Sequence, residues 1–208
     1  TPPTQATFQK TSADNYPSAV KALDFYTSFA KPSKSSYSWS DGFGESTQAF
    51  AKGKTAMIID YSYKIPGIKA TSPGLNFKVA KLPQLNPGAS INYADYWAET
   101  VSKSTKYPEI AWDFYNYMTS YEIMNMYSVA TTKPASRLDL AKYQQTEPTI
   151  GPFASQVASA QNYYKGNIVL SDTAMQEMIN SVLAGYDPAI AVRAGSDKVT
   201  AAIIQFPY

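Results

Sequence analysis

Two aromatic groups stand out by residue type and spacing. Tyr61 and Tyr63 sit at alternate positions, and Tyr93, Asp95 and Trp97 do the same further on. Aromatic faces pack against the C–H groups of a sugar ring, while polar groups at the rim read its hydroxyls. Asp95 suits that second task, because one carboxylate accepts several hydrogen bonds at once. The same residues bear other chemistry. Asp60, Asp95 and Glu99 offer the two carboxylates a glycosidase requires, yet no spacing directs two of them at a common bond. Tyr61, Tyr63, Tyr93 and Trp97 could stack on bases, but no basic stripe accompanies them. Packing is the plain alternative. Tyr61, Tyr63 and Trp97 would then fill the core, and Asp95 would be a solvated edge residue.

Composition narrows these options. The 208 residues include no His and no Cys. That removes the usual zinc ligands, the Ser-His and Cys-His nucleophile pairs, and every thiol mechanism. The glycines form no phosphate-cradling loop, so neither a metal nor another cofactor is expected. The 18 Lys and Arg are scattered and the net charge is +2, which argues against nucleic acid as a partner. Tyr reaches 17 and aromatics 14%, against 16% charged residues, an excess that suits stacking surfaces. No apolar run approaches the ~20 residues of a membrane helix. Thr1-Pro2-Pro3-Thr4 lacks the features of a signal peptide, so the chain reads as a mature or truncated product.

The elements that must position the aromatics follow from periodicity. Glu45 to Lys52 predicts a short helix closed by Gly53 at a left-handed C-cap. Thr55 to Asp60 is an apolar run of strand length, expected to be buried on both faces and to deliver Tyr61 and Tyr63 at its end. Asn76 to Leu82 predicts a strand with Phe77 and Val79 on one face. Asn92 to Ser102 alternates, with Tyr93, Asp95, Trp97, Glu99 and Val101 facing one way.

Around these lie helices. The first starts at Pro17 and runs through Ser18 to Ala30. Pro108 opens another, with Ala111, Phe114 or Tyr115, and Met118 as its buried stripe and Trp112 in the core. Ser120 caps the next. Arg137 to Tyr143 forms a turn of helix, and Phe153, Val157 and Ala160 mark a further one. Thr173 and Gln176 have capping-box spacing, ahead of Met175, Met178 or Ile179, and Val182. Asp187-Pro188 opens the last helix, with Ile190, Val199 and Ile203. Residues 1 to 15 read as a polar tail. The fold class is α/β.

Four segments, in order, give the chain a resemblance. They are Gln48-Ala49-Phe50-Ala51-Lys52-Gly53-Lys54-Thr55-Ala56-Met57; Asn76-Phe77-Lys78-Val79-Ala80-Lys81-Leu82-Pro83; Val101-Ser102-Lys103-Ser104 with Pro108-Glu109-Ile110-Ala111-Trp112-Asp113-Phe114; and Val182-Leu183-Ala184-Gly185-Tyr186-Asp187-Pro188-Ala189. Together they resemble the C-terminal half of an extracellular solute-binding protein of the ABC-transporter type. The closest group is family 1, which includes the maltose-binding protein.

The resemblance implies a periplasmic-binding-protein-like fold of type II. Residues 1–98 and 145–208 would form most of one lobe, and 99–144 the hinge crossings and a helical part of the other. It implies a non-enzymatic function, carbohydrate binding for ABC-transporter uptake, by lobes closing on the ligand. The implied partners are a carbohydrate, the membrane subunits of an ABC permease, and a missing N-terminal portion of the same protein. The implied location is extracytoplasmic, at the periplasm or cell surface, lipid-anchored in the full-length protein. Tyr63 matches the family position that stacks on sugar, Trp97 a cleft-facing aromatic, and Tyr61, Tyr93 and Asp95 adjoin them. Two other readings stand beside this one: an interaction domain that keeps the fold but has lost transport, and a carboxylate-dependent glycosidase.

Overall fold

The computed structural model describes residues 3–8 and 18–205. The helix start expected at Pro17 lies outside them. Chain order runs α1 (Ser18–Ser28), α2 (Ser46–Ala51), α3 (Ile65–Thr71), β1 (Asn92–Tyr93), α4 (Pro108–Met118), α5 (Tyr121–Thr131), α6 (Leu138–Gln144), α7 (Gly151–Ala154), β2 (Ala160–Gln161), α8 (Ile168–Leu183) and α9 (Pro188–Ile204). The chain divides into two compact units, Thr1–Phe43 with Tyr163–Tyr208, and Gly44–Asn162. The lobe boundaries that the resemblance implies cut the chain elsewhere, at 98 and 145.

The first unit is helical. Val20 and Leu23 of α1 lie three residues apart, on one helical face, and pack with Val182 of α8 and Ala191 and Val192 of α9. A second cluster joins Ala6, Ala174, Val199 and Ile203. The Ala6 N–H donates to Thr200 Oγ1 at 3.1 Å, fixing the short N-terminal segment to α9. The helix ends follow the sequence closely in two cases. Asp187 caps α9 by accepting from the N–H groups of Ala189 (2.7 Å) and Ile190 (3.2 Å), with Pro188 in the first turn. Gly185 ends the preceding segment at φ +98°.

One expectation fails here. Thr173 is inside α8, because Asn167 already caps it by accepting from Leu170 N–H at 3.0 Å. The last helix carries Ile190, Val199 and Ile203 as expected; Ile190 is exposed, while Ala191, Val192, Val199 and Ile203 are buried.

In the second unit α2 and α3 bury Ala49, Ala51, Ile65 and Ile68. The Ser72 hydroxyl donates to Ala51 O at 2.6 Å and ties the end of α3 to α2. Helix α3 has no counterpart in the periodicity reading. Leu140 and Ala141 of α6 and Ala154 of α7 are likewise buried.

The expected strands are mostly not realised as ladders. Among the described residues the only sheet is β1 paired in parallel with β2, Asn92 opposite Ala160 and Tyr93 opposite Gln161. Thr55 to Asp60 joins no sheet, with Met57 82% and Ile59 83% exposed. Burial on both faces requires strand neighbours, and no described segment supplies them. Asn76 to Leu82 keeps its alternation, with Phe77 and Val79 half-buried. Its anchor is a ring contact, Phe77 edge-on to Phe50 at 5.6 Å. Beyond Tyr93 the predicted strand continues as exposed chain.

Helix α4 buries none of its residues fully. Its expected stripe is half-buried at Ala111 and Tyr115 but exposed at Phe114 and Met118, and Trp112 is exposed rather than core. Trp112 instead meets Tyr115 of the same helix edge-on at 5.7 Å. The helix expected from Phe153 to Ala160 breaks after α7, and Ala160 opens β2.

Candidate functional site

The second unit brings four of the five expected residues together, starting from the cap of α2. Glu45 occupies that cap and accepts from Gln48 N–H at 2.8 Å. The Thr47 hydroxyl donates to Glu45 Oε1 at 2.7 Å, with Asp60 Oδ2 at 3.0 Å as its alternative acceptor. Asp60 Oδ1 accepts from the Tyr61 N–H at 2.7 Å. A cap therefore fixes a threonine, the threonine an aspartate, and the aspartate the backbone of the first aromatic.

The Glu45 carboxyl is held below the ordinary glutamate pKa, first by the Thr47 hydroxyl and then by the Gln48 N–H, with a smaller contribution from the Lys64 charge. Because folding lowers this pKa, the stabilisation is present above the unfolded value and fades as pH falls through the folded one. In a carboxyl-carbon NMR titration, Glu45 is expected to protonate below a reference glutamate. Thr47→Val should move that midpoint upward; an unmoved midpoint would refute the hydroxyl as the main cause.

After Tyr61 the chain makes a tight turn over Ser62–Lys64, with Ser62 buried beneath it. Tyr61 and Tyr63 flank that serine and stack, with centroids 5.6 Å apart and planes inclined by 13°. An offset-stacked pair is a favoured aromatic geometry. Tyr63 also borders a cleft of about 340 Å³ lined by Glu45, Thr47, Gln48, Lys64 and Gly67 among others.

The third aromatic arrives from β1. Asn92 is buried, donating from Nδ2 to Ser159 Oγ at 2.7 Å and accepting from Gln84 Nε2 at 3.1 Å. This anchors Tyr93. Its hydroxyl donates to Asp95 Oδ1 at 2.6 Å, while the Tyr61 hydroxyl donates to Asp95 Oδ2 at 3.3 Å. Tyr93 and Asp95 share one side of extended chain, as their alternation predicts. The Asp95 carboxylate joins two segments 34 positions apart and keeps acceptor capacity for further donors. Trp97 is 94% exposed and joins neither the stack nor these hydrogen bonds.

Periodicity did not single out the cations around Tyr63. Lys64 Nζ lies 5.8 Å and Lys133 Nζ 5.6 Å from its ring centroid, and Lys133 is also 5.8 Å from that of Tyr127. Nothing local marks Lys133, which falls in a Pro-containing loop brought to the ring from 70 positions away. Among the described residues no group of three or more His, Cys, Asp or Glu is placed to hold a metal ion. No helix among them is long and apolar enough to cross a membrane.

The sequence model of the family described as bacterial extracellular solute-binding protein matches residues 4–152. The match covers more than half of the 208 residues, and the chain belongs to that family. Membership implies a periplasmic-binding-protein-like fold, and capture of a solute outside the cytoplasm for transport. The mostly helical structure with a small sheet is consistent with part of such a fold. The match includes the whole Tyr61–Asp95 cluster, while Val182 to Ala189 lies beyond it. No curated protein matches the chain.

Proposed function

We propose that this protein binds a carbohydrate without altering it and passes it to an ABC permease. Lobe closure of the type II kind would trap the ligand, driven by its higher affinity for the closed state. The protein would work in the periplasm or at the cell surface, lipid-anchored in its full-length form. The ligand set is Tyr61, Tyr63, Tyr93, Asp95 and Trp97. The observation that carries this reading is the stacked Tyr61–Tyr63 pair beside a carboxylate held by two phenol hydroxyls. An aromatic face beside an acceptor carboxylate supports the reading, since a sugar needs a stacking surface and partners for its hydroxyls.

Calorimetric titration of the 208-residue chain with neutral and acidic oligosaccharides tests it, with chromatography of the recovered sugar. Saturable binding and unchanged sugar are expected. Tyr63→Ala should weaken binding by about 10-fold or more, the scale of one lost stacking contact. Its effect on stability should be small, since the ring is half-exposed. Cleavage of the sugar, or full affinity in the Tyr63→Ala variant, would refute the reading.

One observation favours the interaction-domain alternative, the exposed Ile110, Trp112 and Phe114 on α4. That reading predicts a protein partner whose binding is lost on changing α4 and indifferent to Tyr63.

A further inference from the structure

We propose that Lys133 binds a carboxylate on the ligand, so that the sugar taken by this site is an acidic one of the uronate class. The inference rests on the carbohydrate reading above and narrows it. It starts from the side chain's surroundings. Lys133 Nζ sits at the rings of Tyr63 and Tyr127, which attract a cation through their faces but leave its hydrogen-bonding capacity unused. Ion pairs among the described residues include those of Lys31, Arg137, Lys165 and Lys198, and none of these involves Lys133. Lys64 also lies near Tyr63, 5.8 Å from its ring centroid. Among the described residues, Lys133 therefore has no carboxylate in ion-pair contact.

The loop beneath that ammonium is built rather than incidental. Lys133 N–H donates to Ser128 O at 3.2 Å, and the Ser128 hydroxyl donates back to Lys133 O. Gln144 Nε2 in turn donates to Ser128 Oγ, while Gln144 Oε1 accepts from Ala135 N–H at 2.9 Å. Ser128, Gln144 and Ala135 are all buried. Thr132, immediately before the lysine, is left-handed at φ +54°, the only non-glycine residue so placed among those described. That conformation is the left-handed C-cap of α5, a common way for a helix to end. The hydrogen bonds hold the Lys133 backbone at both its N–H and its carbonyl, and its ammonium lies 5.6 Å from the Tyr63 ring centroid.

A sugar ring laid on the platform brings its substituents near the Lys133 ammonium. A carboxylate supplies one matching charge and a charge-assisted hydrogen bond.

The test uses the full 208-residue chain and trimeric galacturonate, glucuronate and mannuronate, each beside its methyl ester, which keeps the rings and removes the charge. At least one acid is expected to bind, and its ester about 10-fold or more weakly, the scale of a charge-assisted hydrogen bond. Lys133→Met keeps the aliphatic stem; it should bring the acid down to the ester's affinity. Lys133→Arg should retain the preference. Equal binding of acid and ester, with both weakened by Tyr63→Ala, would overturn the inference and leave the platform reading intact. The inference also falls if Lys133→Met keeps the preference for the acid. Binding of neither acid nor ester across the series would overturn the inference, while saturable binding of a neutral oligosaccharide would still uphold the platform reading.

Discussion

Alanine at position 166 is expected to destabilise the protein by about 3 kcal/mol or more. Gly166 has φ +61°, and a Cβ built there would lie 2.5 Å from Ala202 O, 2.6 Å from Ile203 Cα and 2.9 Å from Ala202 C. Two penalties combine. A non-glycine in the left-handed region costs about 1–3 kcal/mol, and forcing an atom into filled space costs about 1–3 kcal/mol more. The second cannot be relieved by rotating a side chain, since the opposing atoms are α9 backbone. The same approach lets Asn167 N–H reach Ala202 O at 3.2 Å, and Asn167 is the cap of α8. Moving α9 away would thus loosen both the cap and the Ala174–Val199–Ile203 cluster. Gly185→Ala separates the two penalties, because Gly185 has φ +98° and nothing within 4 Å of its would-be Cβ. Chemical denaturation should show a clearly smaller loss for Gly185→Ala. Equal losses would mean that backbone conformation alone, not the close approach, explains Gly166.

How much of this was legible in the sequence depended on the range of the interaction. Val20 and Leu23 declared a helix face, Asp187-Pro188 a helix start and Gly53 a C-cap, because each is decided within a turn or two of chain. Tyr93 and Asp95 were legible as neighbours for the same reason. Their alternate spacing in extended backbone puts them on one side without help from elsewhere. The ladders were not legible. The apolar run from Thr55 to Asp60 has the composition of a buried strand, but composition states only that burial would be favourable. Whether a neighbour exists to pair with it is a tertiary fact. Trp112 shows the same gap between preference and placement, and Thr173 lost its capping role to Asn167, which stands earlier in the same helix. Lys133 was invisible because its position depends on Ser128 and Gln144 meeting beneath a loop, and no period or motif encodes that meeting.

Gln144→Leu should cost about 2–4 kcal/mol despite replacing a polar side chain with an apolar one of similar size. In most buried positions that exchange would be tolerated better. Here the amide satisfies two groups at once, the Ala135 N–H and the Ser128 hydroxyl. Leucine would leave the first without an acceptor in a site where Ala135 is 2% exposed. A buried donor stripped of its partner costs about 1–3 kcal/mol, and the loss of the Ser128 link adds to it. Ser128→Ala removes the next member, freeing Lys133 O and Gln144 Nε2. If the three groups act as one network, the double variant loses less than the sum of the single variants, since each substitution disables the same link. Denaturation of the two singles and the double measures the coupling directly. Additivity to within about 0.5 kcal/mol would mean independent hydrogen bonds and would remove the structural basis for a lysine held in place. With coupling present, Gln144→Leu should also narrow the acid-over-ester preference, through a residue in hydrogen-bond contact with neither Lys133 nor the Tyr61–Tyr63 platform.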